Sequence, residues 1–566
     1  LELPSRRDAT VFAAKAFLLR QRRWVQDRVR PVPALEVGFA SEFPIVLASN
    51  RSRLWTETDV REERLEMGKV HNLRIVCRQL NGRVVPVGGV FSFWRHVGRP
   101  TRGQGFVEGR QIVSGCVVPA IAGGICQLTN VLFQMALDAG FEIVERHPHT
   151  RRLAQGSPPD GRDATVAWNY IDLRFRPPGD VLIVARMTEA ELIVEMRSRQ
   201  PLAGRRKNLV PLASAPMARS CETCGEEECF RHPTGIQTAR ARAAWLVDQV
   251  QPEFLALAQS EADQGDLLMS PTGSSHPKLA RYAWSDVDAG RWSPTPYFIL
   301  RRSWESRRLA EQGAARRSAM LRHEADLARR YAARLPYDAR HIVVAQPLLP
   351  ELWRHGALGG RSFTVLMTRL PLGEIHRRLD EAHARHPQRA LLNDFRADAE
   401  LVEMEREALA AARELITPHA DIARLFGARA RLIPWVMPKM TSFEPGDRVL
   451  FPGPTVGRKG AFEVRDLARE LGLKLTVGGS MLEGSDFWAG LDVVRAGTNP
   501  FDGCRLVLQP ALIEDQPRRL LSAIASGLPV VASPACGLEE RPGLTLIDPQ
   551  DREAMSREIQ LILAKS

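Results

Sequence analysis

From about residue 340 onward the chain alternates short apolar runs with helical stretches, and this alternation restricts the fold more than any other feature. HIVVAQ, RSFTVLM, LIT, RVLF, LKLTV, CRLVL, PVVAS and LTLID are each separated by a helix or a loop. Strands joined through helical crossovers run parallel and are covered on both faces, so apolar runs of this kind belong in doubly wound sheets. The pattern predicts two such units in tandem, near 340–435 and 445–566. Upstream, from about 236 to 335, the chain reads as helix-rich, with many alanines and arginines, loops such as SPTGSSHP and SPTPYF, and a long charged helix over 303–334. We therefore expect one Rossmann-like domain with helical insertions over 236–440 and a second over 441–566.

The stretch from Val87 to Asp172 carries the residues with the most chemistry. Gly123-Gly124 allows a sharp turn before Ile125. The segment after it has apolar residues at Leu128, Val131, Leu132, Met135 and Ala136, the spacing of a buried helix face that ends at Ala139-Gly140. Cys126 then falls in the first turn of a helix, where unpaired amides and the helix dipole favour a thiolate. His147-Pro148-His149 follows a strand-like FEIVE. Cys126 with His147 and His149 forms a nucleophile–base set or half of a metal site, which Cys116 could complete. The alternative is a buried structural cysteine beside two histidines that fix a turn. Arg162 and Asp163 form a buried ion pair or contact an anion; the residues alone do not decide.

This stretch resembles the VanW family. The matching residues are Gly88, Phe91-Ser92-Phe93, Val97-Gly98, Gly105-Phe106, Gly123-Gly124-Ile125-Cys126-Gln127, Glu145-Arg146-His147-Pro148-His149 and Gly161-Arg162-Asp163-Ala164-Thr165-Val166. Asn169-Tyr170 replaces the more usual glycine-tyrosine pair, and Asn72 falls where the family also has an asparagine. The resemblance covers roughly residues 55–175 and names a domain more firmly than a reaction. The strand patterns LRFRP, DVLIVARM and AELIVEMR extend it to a small α+β domain over 55–200, after a basic helical extension at 1–54 whose residues 35–54 read as short extended pieces.

EREALAAARELITPHADIARLFG, FPGPTVGRKG and EDQPRRLLSAIASGLPVVASPACGLEE resemble a second family, the retaining glycosyltransferases of the two-Rossmann GT-B fold. That resemblance implies a nucleotide-sugar donor whose diphosphate is held by the turn Gly453, Arg458, Lys459 and Gly460. It assigns Glu514 to the donor sugar as a catalytic-site residue and puts Ser522 where the family has a second glutamate, at the ribose. Pro454 stands where the family has an arginine. Either donor binding is altered or transferase activity has been lost.

Between the two regions lies Cys221-x2-Cys224-x4-Cys229-x2-His232, within a segment we bound at 215–235. Thiolate and imidazole ligands at this density suit tetrahedral zinc, and three cysteines also suit an iron–sulfur cluster, with zinc favoured. Eight cysteines in so long a chain, three of them in this segment, point to metal rather than a disulfide framework and to a reducing, cytoplasmic setting.

Lysine and arginine exceed aspartate and glutamate by 78 − 66 = +12, a balance that suits anionic ligands. No nucleic-acid motif is present, so no nucleic-acid partner is expected. No apolar run approaches the roughly 18 residues of a membrane span. The basic helix over 9–30 could touch a membrane surface, although packing on its own domain is the commoner fate of such a helix. Leu1 in place of methionine suggests an incomplete N-terminus.

The sequence as a whole reads as an α/β multidomain chain with a VanW-like domain, a metal segment and a GT-B-like half. The leading function is transfer from a nucleotide-sugar to a cell-envelope glycan or specialised-metabolite acceptor. The alternatives are a metal-dependent biosynthetic or redox enzyme centred on the VanW-like domain, and a non-catalytic glycan-binding scaffold.

Overall fold

The computed structural model describes residues 6–29, 31–56, 62–113, 116–149, 161–202, 242–273, 277–294, 296–309 and 313–564. The Cys221, Cys224, Cys229 and His232 segment lies outside the described residues, as does the side chain of Cys116. Contacts divide the chain into two units, one built mainly from residues up to 242 and the other mainly from those after it.

In the first unit, helix α1 (Arg6–Val29) precedes β1 (Glu36–Val37), β2 (Ile45–Arg53), helix α2 (Glu63–Leu80) and β3 (Arg83–Val85). Next come β4 (Phe91–Ser92), α3 (Phe93–Val97), β5 (Glu108–Val113), β6 (Cys116–Ile121), α4 (Cys126–Asp138) and β7 (Glu142–Glu145). The unit closes with β8 (Arg174–Arg176), β9 (Val181–Met187) and β10 (Glu191–Ser198). Five strands form an antiparallel sheet in the order β1-β3-β9-β10-β2. Strand β2 pairs with β10 from Arg53↔Glu191 to Ile45↔Ser198. Residues 45–53, where the sequence reads as short extended pieces leading into the VanW-like region, therefore belong to this sheet. The apolar side of α2 (Val70, Leu73, Val76) and the expected face of α4 (Leu128, Val131, Leu132, Met135, Ala136) are both buried in one core.

The second unit contains two sheets. The first is built from β11 (Arg242–Leu246), β12 (Leu267–Met269), β13 (Gly290–Trp292), β14 (Ala339–Ala345), β15 (Ser362–Leu366), β16 (Glu414–Thr417) and β17 (Ala430–Leu432). Its order is β13-β12-β11-β14-β15-β16-β17. Helices α5 (Pro252–Glu261), α6 (Pro296–Arg308), α7 (Gly313–Arg334), α8 (Leu349–Arg354), α9 (Leu372–Arg385), α10 (Ala399–Ala411) and α11 (Ala420–Phe426) connect its strands. The region expected to be helix-rich thus supplies three strands, and the single helix expected over 303–334 is two. The strand signal was weak because WL and LLM are too short for a detectable period.

The second sheet follows the order β20-β19-β18-β21-β22-β23, every pair parallel. Its strands are β18 (Pro445–Phe451), β19 (Leu475–Val477), β20 (Val493–Arg495), β21 (Cys504–Gln509), β22 (Val530–Ala532) and β23 (Leu544–Leu546). Helices α12 (Ala461–Leu471), α13 (Arg518–Ala525) and α14 (Arg552–Ala564) accompany them. Numbered within the sheet the order is 3-2-1-4-5-6, that of a dinucleotide-binding Rossmann domain, with its switch point between β18 and β21.

Candidate functional site

The site in the first unit begins with two glycines. Gly124 has φ +92°, and a Cβ there would fall 2.1 Å from Lys69 Cγ. A Cβ on Gly123 would fall 2.3 Å from the backbone of Gly109. Only glycine lets this turn approach α2 and β5 so closely. Asn72 fastens them: its side-chain amide donates to the carbonyls of Val107 and Gly123, 3.0 Å each, and accepts from the Val107 amide at 3.0 Å. The turn delivers Cys126 as the first residue of α4.

The polar side of α4 then holds the facing loop. Thr129 Oγ1 donates to the Ala164 carbonyl (2.7 Å), Asn130 Oδ1 accepts from the Ala164 amide (2.7 Å), and Gln134 donates to the Arg162 carbonyl (3.2 Å). These bonds fix Asp163 on the loop. Arg146 grips the same residue from β7's exit, donating from Nε to the Asp163 carbonyl and from Nη2 to Oδ1, both at 2.8 Å. The other carboxylate oxygen accepts from the His149 amide at 2.6 Å and meets His149 Nδ1 at 2.9 Å. With Nδ1 on Asp163, the imidazole's other nitrogen is left for Cys126, with which His149 interacts directly. Thr165 Oγ1 lies 3.7 Å from the sulfur.

The electrostatics follow from this chain of contacts. Burial alone would push the Cys126 thiol up, but His149, the Val166 amide and the Thr165 hydroxyl outweigh it and bring the thiol below its ordinary value. Burial likewise opposes a charged His149, yet Asp163 and Cys126 raise it to about 9. For Asp163, desolvation is overcome by His149 and Arg146, which lower the carboxyl to about 2. These shifts all act in favour of a thiolate–imidazolium pair backed by a carboxylate, the arrangement that activates a cysteine nucleophile. By contrast, burial raises Cys77 and Cys536 to about 12.

Of the two candidate histidines, only His149 meets the cysteine. His147 is 44% exposed, with Nε2 3.3 Å from Glu145 Oε1, and Glu145 is also paired to Arg23 at 2.5 Å. Arg162 pairs with Asp138 (2.9 Å) rather than with Asp163. Asp163 is the residue that sequence reasoning left unassigned. Its signal was its place in the block 161–166 shared with the VanW family, fourteen residues beyond His149. No group of three His, Cys, Asp or Glu side chains is arranged to hold a metal among the described residues.

In the second unit, Gly453, Arg458, Lys459 and Gly460 occupy the turn between β18 and α12, and Glu514 lies on the loop after β21. Both loops leave the carboxyl ends of their strands at the switch point. Gly460 has φ +86°, and a Cβ there would fall 2.3 Å from the Pro510 carbonyl oxygen. The Arg458 carbonyl accepts from the amides of Leu512 (3.0 Å) and Ile513 (3.2 Å), stitching the two loops together. Lys459 Nζ sits 3.0 Å from Glu514 Oε2, which also accepts from Gln509 at 2.6 Å. Glu514 Oε1 accepts from the Gln516 amide at 3.1 Å. The structure thus brings the expected lysine and glutamate together, but as an ion pair. Ser522 is turned back on its own helix, its hydroxyl donating to the Arg518 carbonyl at 3.0 Å.

Residues 68–197 match the family model described as VanW like protein. YoaR of Bacillus subtilis is 33% identical over 141 residues, 25% of this chain and 46% of that protein. The vancomycin B-type resistance protein VanW of Enterococcus faecalis is 32% identical over 115 residues, 20% of this chain and 42% of that protein. The chain therefore spans less than half the length of the curated relatives it matches. Among solved structures, the second unit is similar to the lipopolysaccharide outer core galactosyltransferase WaaB, at 12% identity and TM-score 0.33, over 57% of this chain and 90% of that one. It is also similar to Anabaena HepE in complex with UDP and glucose, at 13% identity and TM-score 0.34, over 58% and 90%. At these scores the two-Rossmann description rests on the strand orders themselves. Residues 68–197 are a VanW-like domain, and Cys126, His149 and Asp163 all lie within it.

Proposed function

We propose that the VanW-like domain is a thiol-dependent acyl transferase or hydrolase in which Cys126 is the nucleophile, His149 the acid–base and Asp163 the orienting carboxylate. The observation that carries this reading is the His149 ring, held by Asp163 at Nδ1 and directed at Cys126. The Cys126 thiolate attacks a substrate carbonyl and forms the C–S bond. His149 gives its proton to the departing amine or alcohol as the bond to carbon breaks. Water or an acceptor nucleophile then surrenders a proton to His149 and takes the acyl group, restoring the thiolate. Asp163 stays ionised throughout and stabilises the imidazolium. The test is an activated aryl ester of acetate. The acetyl group should accumulate on the Cys126 peptide, be absent in Cys126→Ala and form slowly in His149→Ala. Equal labelling of Cys126 in parent and His149→Ala refutes the assignment.

A second reading concerns the other unit, supported by the 3-2-1-4-5-6 sheet with a lysine-bearing glycine turn at its switch point. Here the half binds a nucleotide-sugar, with Lys459 released from Glu514 to neutralise the diphosphate and Glu514 freed for the sugar hydroxyls. Ser522 contributes less, because its hydroxyl is already committed. Calorimetry with nucleoside diphosphates should give binding that Lys459→Ala weakens. If the parent binds none at about millimolar concentration, this half is no transferase. A glycan acceptor would make both modules parts of one envelope-glycan enzyme, and a peripheral membrane contact by α1 fits such a substrate. The Cys221, Cys224, Cys229 and His232 segment is proposed to hold zinc, or else an iron–sulfur cluster.

A further inference from the structure

Within the second unit a cavity of about 140 Å³ is lined by Arg316, Arg317, Met320, Phe395, Arg458 and Leu482. The residues come from the first two turns of the 22-residue helix α7, the loop before α10, the glycine turn after β18 and the loop after β19. Arg317 is 3% exposed, and its Nε and Nη2 are buried without a hydrogen-bond partner. Its guanidinium stacks on the Phe395 ring at 4.3 Å, and that of Arg458 stacks on the same ring at 4.6 Å. The acids whose charge reaches Arg317 are Glu324, Asp515 and Glu405, each with a partner of its own, and Asp394 and Glu483 lie near Arg458. Glu324 accepts from Arg369 at 3.1 Å, and Asp515 accepts from the Leu370 amide at 3.1 Å. Burial, with Arg369 as a second cationic neighbour, lowers Arg317 to about 10.

A buried guanidinium with idle N–H groups is costly to fold and is retained where a ligand completes it. Two arginines on one aromatic ring are held rigid, which reduces the ordering cost of binding. We infer that this cavity is an anion site for a phosphate-class group, bound by the free N–H donors of Arg317 together with Arg458 and Arg316. A tetrahedral oxyanion can accept from arginines on separate elements at once, whereas a carboxylate is matched to a single fork. The site shares Arg458 with the nucleotide reading but not Lys459, which is absent from its lining, so the Lys459 variant separates the two.

The test is titration of the full chain with inorganic phosphate and, separately, with a sugar phosphate, against acetate at equal ionic strength. We expect saturable phosphate binding that Arg317→Met and Arg458→Met each weaken by at least about tenfold and that Lys459→Ala leaves in place. The tighter of the two phosphate ligands identifies the source as a free ion or an ester. Without phosphate, Arg317→Met should melt no lower than the parent, since it removes an unpaired buried charge, so its loss of binding is not unfolding. Absence of saturable binding, equal binding of acetate, or phosphate affinity unchanged in Arg317→Met overturns the inference.

Discussion

Replacing Asp163 by asparagine tests the site at its least obvious member. The substitution keeps the shape and removes the charge that accepts from His149 at 2.9 Å. A hydrogen bond to a charged group contributes about 1.5–3 kcal/mol. At about 1.36 kcal/mol per unit, losing it lowers His149 from about 9 by about one to two units. With the imidazolium less favoured, the thiolate loses its counter-charge and the Cys126 thiol rises toward its ordinary value near about 8.5. The assay is iodoacetamide alkylation followed peptide by peptide across pH. In the parent, Cys126 should react with an inflection below that of a free cysteine, and near about pH 6 the Asp163→Asn rate should fall about tenfold. Cys77 and Cys536, held up at about 12, supply internal controls that stay unmodified at neutral pH. A parent inflection at or above about 8.5, or identical profiles in the two proteins, would refute the thiolate–imidazolium pair.

Three further outcomes are expected. His149→Ala should abolish the low-pH alkylation, whereas His147→Ala, which removes a side chain 44% exposed and paired to Glu145, should leave the profile nearly unchanged. Asp163, lowered from 3.8 to about 2, stabilises the fold above about pH 4, and this is lost as pH falls through about 2. Discounted for solvent, its share is about 1 kcal/mol, so thermal denaturation of Asp163→Asn should show that deficit at neutral pH and none near about pH 2. Joint replacement of Cys221, Cys224 and Cys229 by serine should remove about one metal equivalent, read by elemental analysis. Unchanged metal content would place the site elsewhere.

What the linear order of residues determined here is local. The buried face of α4 and its start at Cys126 were legible because helix periodicity and a glycine pair are properties of neighbours in the chain. Five of the six strands of the second sheet were legible for the same reason, each being an apolar run closed by a turn, whereas β20 (VVR) was not among the runs read from the sequence. The short strands β11 (RAAWL), β12 (LLM) and β13 (GRW) were not, since so few apolar residues show no period and become a strand only when a parallel neighbour supplies their hydrogen bonds. Nor could patterning choose between His147 and His149, two residues apart on one loop exit. That choice was made by Asp163, itself positioned by Thr129, Asn130 and Gln134 on α4 and by Arg146. The pairing of Arg317 with Arg458 across Phe395 joins residues more than a hundred positions apart, and no local signal marks it. Residue types and their periods set which elements form. Which charges face one another is decided by packing, because electrostatic and hydrogen-bond partners are chosen by distance in space rather than along the chain.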